Sequence, residues 1–133
     1  MTVAEIMSAQ PITVGMDATL REIDELFRCH RFHHVMVTNG KRLCGVISDR
    51  DLLHHVSPFA RTAAEQKRAE ATLELHAHQV MTRRMITTSP SADVLEAGRT
   101  MFEKGISCLP VVQDGDHLVG VVTWKDVLRG LIG

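Results

Sequence analysis

The segment Gly45-Val46-Ile47-Ser48-Asp49-Arg50-Asp51 returns near the other end of the chain as Gly120-Val121-Val122-Thr123-Trp124-Lys125-Asp126. In each copy a glycine-led apolar run ends on a hydroxyl residue, with an aspartate three places later. That is the form of a strand running into the first turn of a helix. Set in register, Val3–Leu53 matches Ala77–Leu128 with one gap opposite Asp114. Met7 then pairs with Met81, Ile12-Thr13 with Ile86-Thr87, Ala18 with Ala92, Glu22 with Glu96, Val37 with Val111 and Gly40 with Gly115. Matches spread in order over a whole unit mean a tandem duplication, and each half must then adopt much the same fold.

Each half opens with a short helical turn around Val3–Met7 or Ala77–Met81, followed by a short extended piece such as Pro11-Ile12-Thr13-Val14, closed by Gly15. Thr19-Leu20-Arg21-Glu22 has the capping-box form, and Asp93-Val94-Leu95-Glu96 stands at the same register. Behind them Leu20, Ile23 and Phe27, and likewise Val94, Ala97 and Met101, fall on one helical face. Val35–Thr38 and Leu43–Ile47 around Asn39-Gly40 read as a hairpin in which Asn-Gly supplies the positive φ angles. Leu109–Gln113 and Leu118–Val122 around Asp114-Gly115 repeat it, and a helix follows each, Asp49–Val56 and Trp124–Ile132. The fold class is therefore α+β, two β-α-β-β-α repeats. We divide the chain into a first repeat at 1–56, a helical linker at 57–76 and a second repeat at 77–133, together one module. Ser57-Pro58 ends the preceding helix and Thr62–Glu65 caps a new, mostly exposed one whose charges balance, Arg61, Lys67 and Arg68 against Glu65, Glu70 and Glu74.

Composition narrows the function by exclusion. A formal net charge of −1 offers no global attraction for nucleic acid or an anionic membrane, and one Trp, four Phe and no Tyr make no stacking platform for single strands. No apolar run approaches the ~20 residues of a membrane span, and the first ten residues do not look like a signal peptide. Three cysteines without a CxxC pair fit a reducing cytoplasm better than a disulfide framework.

Ile6-Met7 before Ile12-Thr13-Val14, Leu109-Pro110-Val111-Val112, and the Gly-apolar-x-Ser/Thr-x-x-Asp segment in both halves resemble a tandem pair of CBS (cystathionine-β-synthase) domains over residues 2–132, the linker helix excepted. The resemblance implies repeats packed sheet to sheet about a pseudo-twofold axis, with two clefts that in the family commonly take AMP, ADP, ATP or S-adenosylmethionine. It implies ribose positions at Asp51 and Asp126 and phosphate-side positions at Ser48 and Thr123. It also implies crossed walls, with Thr87 and Leu109-Pro110 completing the Asp51 cleft and Thr13 with Val35-Met36 the Asp126 cleft. The first repeat departs from the family pattern at Met36, where the second has Pro110, and at Phe32-His33-His34. A homodimer through exposed apolar helix faces, as a flat disc, is a further implication, as is a separate regulated protein.

The chemistry agrees with those assignments and does not depend on them. One carboxylate accepts from two vicinal hydroxyls, a helix start offers amides to phosphate, and Arg50 and Lys125 add positive charge one residue before each aspartate. The same Ser48-x-x-Asp51 and Thr123-x-x-Asp126 patterns are complete as helix caps without any ligand, so both roles stand open. The eight histidines match no zinc-ligand spacing, and His34 is placed to meet a base or a phosphate. No Ser, Cys or His sits in a nucleophile–base arrangement, and Cys44 and Cys108 read as core thiols. The expectation is a non-catalytic module needing no cofactor and no metal, regulated by an adenosine nucleotide. The alternative is a ligand-free interaction module that forms a dimer.

Overall fold

Across residues 1–55 and 62–133, which the computed structural model describes, helices and strands make up an α+β fold. The first repeat contributes α1 (Val3–Ile6), β1 (Thr13–Gly15), α2 (Leu20–Cys29), β2 (His34–Asn39), β3 (Arg42–Ser48) and α3 (Asp49–His55). The linker helix α4 (Ala63–Leu73) precedes α5 (Ala77–Val80), α6 (Val94–Lys104), β4 (Cys108–Gln113), β5 (His117–Thr123) and α7 (Trp124–Ile132). The expected break at Ser57-Pro58, the last residue of the Asp49–Val56 helix and the charge of Arg61 lie outside the described residues.

Local chemistry starts the helices. The Thr19 hydroxyl accepts from the Glu22 amide at 3.2 Å, and Thr62 and Glu65 cap each other's amides at 3.0 and 3.4 Å. Asp93 takes the Leu95 amide at 3.1 Å, a simpler cap than its counterpart at Thr19. The linker helix buries none of its side chains and lies along α2, tied there by Arg21–Glu74 at 2.9 Å.

The two halves differ at their first strand. In the first repeat β1 runs parallel to β2, Thr13 opposite Met36 and Val14 opposite Val37, and the Met36 amide donates to the Ile12 carbonyl at 3.2 Å. Pro110 occupies the Met36 position of the second repeat and has no amide to donate. The equivalent stretch there is reduced to an isolated bridge of Thr88 to Val111. The hairpin turns differ as well. Asp114 and Gly115 both carry positive φ, +50° and +89°, whereas in the first hairpin Gly40 alone does, at +62°. The expectation that Asn39 shares that role is corrected: Asn39 is the last residue of β2, and the turn follows it.

The sheet order is β1-β2-β3-β5-β4, with β5 antiparallel to β4 along its length and to β3 only at Arg42 opposite His117. The compact units do not follow the repeats. Unit one comprises Met1–Pro11, Lys41–Leu43 and Met85–Gly133; unit two comprises Ile12–Gly40 and Cys44–Arg84. Each unit therefore takes its short leading helix from the other repeat.

The exchange is made by three backbone hydrogen bonds in each unit, at matching positions. In unit one the amides of Val3 and Ala4 donate to the carbonyls of Ala92 and Pro90 at 2.8 and 2.9 Å, and the Val94 amide donates to the Met1 carbonyl at 3.0 Å. In unit two the amides of Ala77 and His78 donate to the carbonyls of Ala18 and Met16 at 2.7 and 3.1 Å, and the Leu20 amide donates to Leu75 at 2.9 Å. The chain then runs on to bridge Ser8 with Val121 in unit one and Thr82 with Val46 in unit two.

Each unit has its own core. Val3, Val94, Ala97, Met101, Leu109, Val111, Val122 and Val127 close unit one, and Leu20, Ile23, Val35, Val37, Ile47, Leu52, Ala77 and Met81 close unit two. Val3 and Ala77, from the exchanged helices, are fully buried in these cores, which is where the burial of apolar surface fixes the exchange.

Candidate functional site

Both copies of the repeated motif adopt the same local geometry. In unit two β3 ends at Ser48 and α3 begins. The Ser48 amide donates to Asp51 Oδ2 at 3.0 Å, and the Asp51 amide donates to Ser48 Oγ at 3.0 Å. In unit one the Thr123 amide and hydroxyl donate to Asp126 Oδ2 at 2.9 and 3.1 Å, and the Asp126 amide returns to Thr123 Oγ1 at 3.5 Å. The capping role is thus filled at both sites through one carboxylate oxygen. The second oxygen of Asp126 faces the exposed Arg129 guanidinium at 3.8 Å, a weak contact that a stronger donor would displace. Both aspartates are partly buried, and Arg50 and Lys125 project from the first turns into solvent.

The leading glycine of each motif has a packing reason. A Cβ on Gly45 would lie 2.5 Å from the Met81 sulfur, and one on Gly120 would lie 2.7 Å from both the Met7 sulfur and the Ser8 carbonyl oxygen. The methionine of one repeat therefore sits over the bare backbone of the other repeat's motif strand. Sequence comparison paired Met7 with Met81 and Gly45 with Gly120; the contact joins them crosswise.

Around the Asp51 motif stand two histidines. The His33 ring pairs through Nδ1 with Asp49 Oδ2 at 2.7 Å, and the Asp49 amide donates to the His33 carbonyl at 2.9 Å. That pairing is absent from the sequence reading; the acidic residue directly after Ser48 was its one signal. Burial holds His34 below the usual imidazole range, with His33 adding to the effect and Asp49 and Asp51 opposing it. The equivalent residue beside Asp126 is Cys108, whose thiol is pushed up to about 12 by burial and then by Asp126. It is a core thiol, as its apolar setting indicated.

A pH dependence follows from His34. Its folded-state pKa lies below its unfolded value of about 6.5, so the unfolded chain binds the proton more readily. The stability contributed is full above that value and is lost as pH falls through the lower folded-state pKa. Urea unfolding midpoints at neutral and mildly acidic pH should fall less on acidification in His34→Gln than in the parent. Equal acid sensitivity of the two would refute the assignment.

The remaining expected site residues divide between the units. Thr13, Val35 and Met36 lie in unit two with Ser48, Arg50 and Asp51; Thr87, Leu109 and Pro110 lie in unit one with Thr123, Lys125 and Asp126. Thr13 and Thr87 are exposed, whereas Val35, Met36, Leu109 and Pro110 are buried, so a ligand would meet their backbone rather than their side chains. An open hollow lined by Lys41, Arg42, Asp114, Asp116 and His117 shares no residue with either motif. Among the described residues no three His, Cys, Asp or Glu side chains are grouped to hold a metal ion, and no helix is long and apolar enough to cross a membrane.

Comparison with known proteins agrees with this arrangement. The CBS domain model matches residues 3–58 and again residues 77–133. An uncharacterised protein of Methanocaldococcus jannaschii is 30% identical over 132 residues, 98% of this chain. The chain spans only 44% of that relative, and 61% and 23% of two further archaeal relatives. Among solved structures, CBSX2 in complex with AMP superposes with a TM-score of 0.82 at 25% identity, covering 98% of this chain and 96% of that one. The CBS domain pair of protein MJ0100, in complex with 5′-methylthioadenosine and S-adenosyl-L-methionine, gives 0.76 at 26% identity, covering 100% and 97%. Two family matches in tandem, each ending in the same capped motif, mean that the chain belongs to the CBS domain family as a domain pair.

Proposed function

We propose that the chain is a non-catalytic regulatory module of the cytoplasm. It binds an adenosine nucleotide through the Asp51 and Asp126 motifs and signals to a further protein by a change of shape or association, as a homodimer. One observation carries the reading. The two aspartates are held in the same capped geometry at helix starts, each with a cation one residue before it. A carboxylate so anchored accepts ribose hydroxyls without a further cost of ordering its side chain, and the helix start favours phosphate. Support also comes from CBSX2 and the MJ0100 pair, described in complex with AMP and with S-adenosyl-L-methionine respectively. Thr13, Val35 and Met36, and Thr87, Leu109 and Pro110, then serve the base chiefly through their backbone.

Thermal unfolding with AMP, ADP, ATP and S-adenosylmethionine tests the reading, since a ligand at 100 times its dissociation constant adds about 2.7 kcal/mol of stability. Asp51→Asn and Asp126→Asn keep an acceptor for the cap but remove the charge. In calorimetry each should lose one binding event and retain the other. A double variant that binds nucleotide as tightly as the parent would overturn the ribose assignment. One observation favours the second reading, a ligand-free interaction module: both motif carboxylates are already used as caps. If no nucleotide moves the melting midpoint, that reading replaces the first.

A further inference from the structure

The two motifs share a cap and differ in the residues around it. With Val37 aligned on Val111 and Asp51 on Asp126, His33 falls on Ser107, His34 on Cys108 and Asp49 on Trp124. In unit two these positions form a cluster of ionisable groups. The His33 ring is tied to Asp49 Oδ2 at 2.7 Å and the Asp49 amide donates to the His33 carbonyl at 2.9 Å, so the residues before β2 are clamped to the first turn of α3 at two points. His34 follows as the first residue of β2 and is half-buried. The charged groups that act on it are Asp49 and Asp51 of α3 and the preceding His33. Among the described residues β1, α2 and β3 add none, and Arg50 is exposed to solvent. In unit one the same positions do not titrate near neutrality. Trp124 packs on the core, the Cys108 thiol is pushed up to about 12 and stays protonated, and Ser107 is a plain hydroxyl.

Asp51 thus has an imidazole within electrostatic reach, and the matching place beside Asp126 holds a thiol. A nucleotide held by its ribose at Asp51 carries its 5′-phosphate one sugar ring away, inside the roughly 8–10 Å over which charges act through physiological salt. That negative charge favours the imidazolium form of His34 and draws a proton onto the ring as the ligand binds. The clamp assists by committing the Asp49 charge to His33 instead of leaving it to oppose the phosphate. We propose that nucleotide binding at the Asp51 motif is coupled to protonation of His34, whereas the Asp126 motif binds without such coupling, so that one chain reads acidity at one of its two sites. Burial keeps the ligand-free His34 below the usual imidazole range, hence neutral near pH 7. Affinity at the Asp51 site then rises as pH falls, and levels off once the free ring is protonated as well. Proton and nucleotide favour each other by the same factor. The coupling rests on the nucleotide reading above and adds to it a difference between the sites.

Calorimetry of AMP with the whole chain, near pH 6.5 in two buffers of different ionisation enthalpy, counts the protons taken up on binding. Asp126→Asn isolates the Asp51 site and Asp51→Asn the Asp126 site. The phosphate of AMP titrates in the same range, and comparing the two sites removes that contribution because the ligand is the same. The Asp51 site should take up an additional fraction of a proton. Between about pH 7.5 and about pH 5.5 its affinity should rise on the order of tenfold relative to the Asp126 site. Adenosine, which lacks the phosphate, should give equal proton counts at both sites, and His34→Gln should bring the Asp51 site down to the count of the other. Equal counts with AMP at the two sites would overturn the coupling and leave the nucleotide reading standing. Absence of AMP binding in Asp126→Asn would overturn the nucleotide reading of the Asp51 site and the coupling together. An extra proton that persists in His34→Gln would overturn the assignment to His34, and one that persists with adenosine would overturn the part given to the phosphate. Ring-proton NMR of the parent chain reads the same event without a substitution. One histidine should titrate at higher pH with AMP than without it, and eight unshifted histidines would overturn the coupling.

Discussion

Gly120→Ala should destabilise the chain by about 1–3 kcal/mol, a fall of several degrees in melting temperature, and Met7→Ala should not rescue it. The reason is what the new methyl group meets. At 2.7 Å it strikes both the Met7 sulfur and the Ser8 carbonyl oxygen. The methionine can move aside, but the carbonyl belongs to backbone held by the pair of hydrogen bonds between Ser8 and Val121, at 2.9 and 3.0 Å. Relief requires breaking that bridge, which costs more than the side-chain adjustment. Thermal unfolding of Gly120→Ala, Met7→Ala and the double variant measures the coupling. A double variant less destabilised than Gly120→Ala alone would show the obstruction to be the side chain and not the backbone.

The opposite outcome is expected in unit two. Met81→Ala removes a buried side chain, 8% exposed, from the core and should cost about 2–5 kcal/mol through lost burial and the hollow left over Gly45. Gly45→Ala alone should cost about 1–3 kcal/mol, because the nearest atoms to its new Cβ all belong to the Met81 side chain, beginning with the sulfur at 2.5 Å. Combined, the two changes put a methyl group into the vacated space, so the double variant should be more stable than the sum of the single effects predicts, by about 0.5–3 kcal/mol. Strict additivity would mean that Met81 and Gly45 do not share the contact. The two cycles together separate a side-chain obstacle from a backbone one at equivalent positions of the duplication.

What could be read from the sequence was what is local or periodic. Thr62–Glu65, Ser48–Asp51 and Thr123–Asp126 act within three residues, so pattern and structure coincide. The β3–α3 and β5–α7 junctions likewise follow from where the apolar run ends and the cap begins. The exchange of leading helices was not legible, for a definite reason. Aligning the repeats matches Met7 with Met81 and Gly45 with Gly120, and these identities are the same whether each methionine packs in its own half or in the other. Only the tertiary contact distinguishes the cases. The proline at 110 was visible as a departure from the first repeat, but its effect, loss of one ladder bond and shrinkage of a strand to a bridge, depends on knowing that Met36 donates to Ile12. At the candidate site the repeated spacing marked the two aspartates as helix caps and only the family resemblance gave them a ribose role, whereas the burial of Val35, Met36 and Leu109 was not legible, because an apolar residue at a strand start reads the same whether it lines a cleft or a core.

The reciprocal borrowing of α1 and α5 also bears on how such a chain comes to be folded at all. A single repeat on its own lacks the helix that covers its motif strand, and the natural supplier is another copy of the same repeat. Covalent linkage replaces that encounter between molecules with one inside a molecule, where the effective concentration is set by the tether and not by expression level. The cost is kinetic: α1 must wait for residues 85–133 to be made before its partners exist, so unit one closes only over a long loop. Separately expressed halves should therefore each be short of a lid and should recover it only by finding each other.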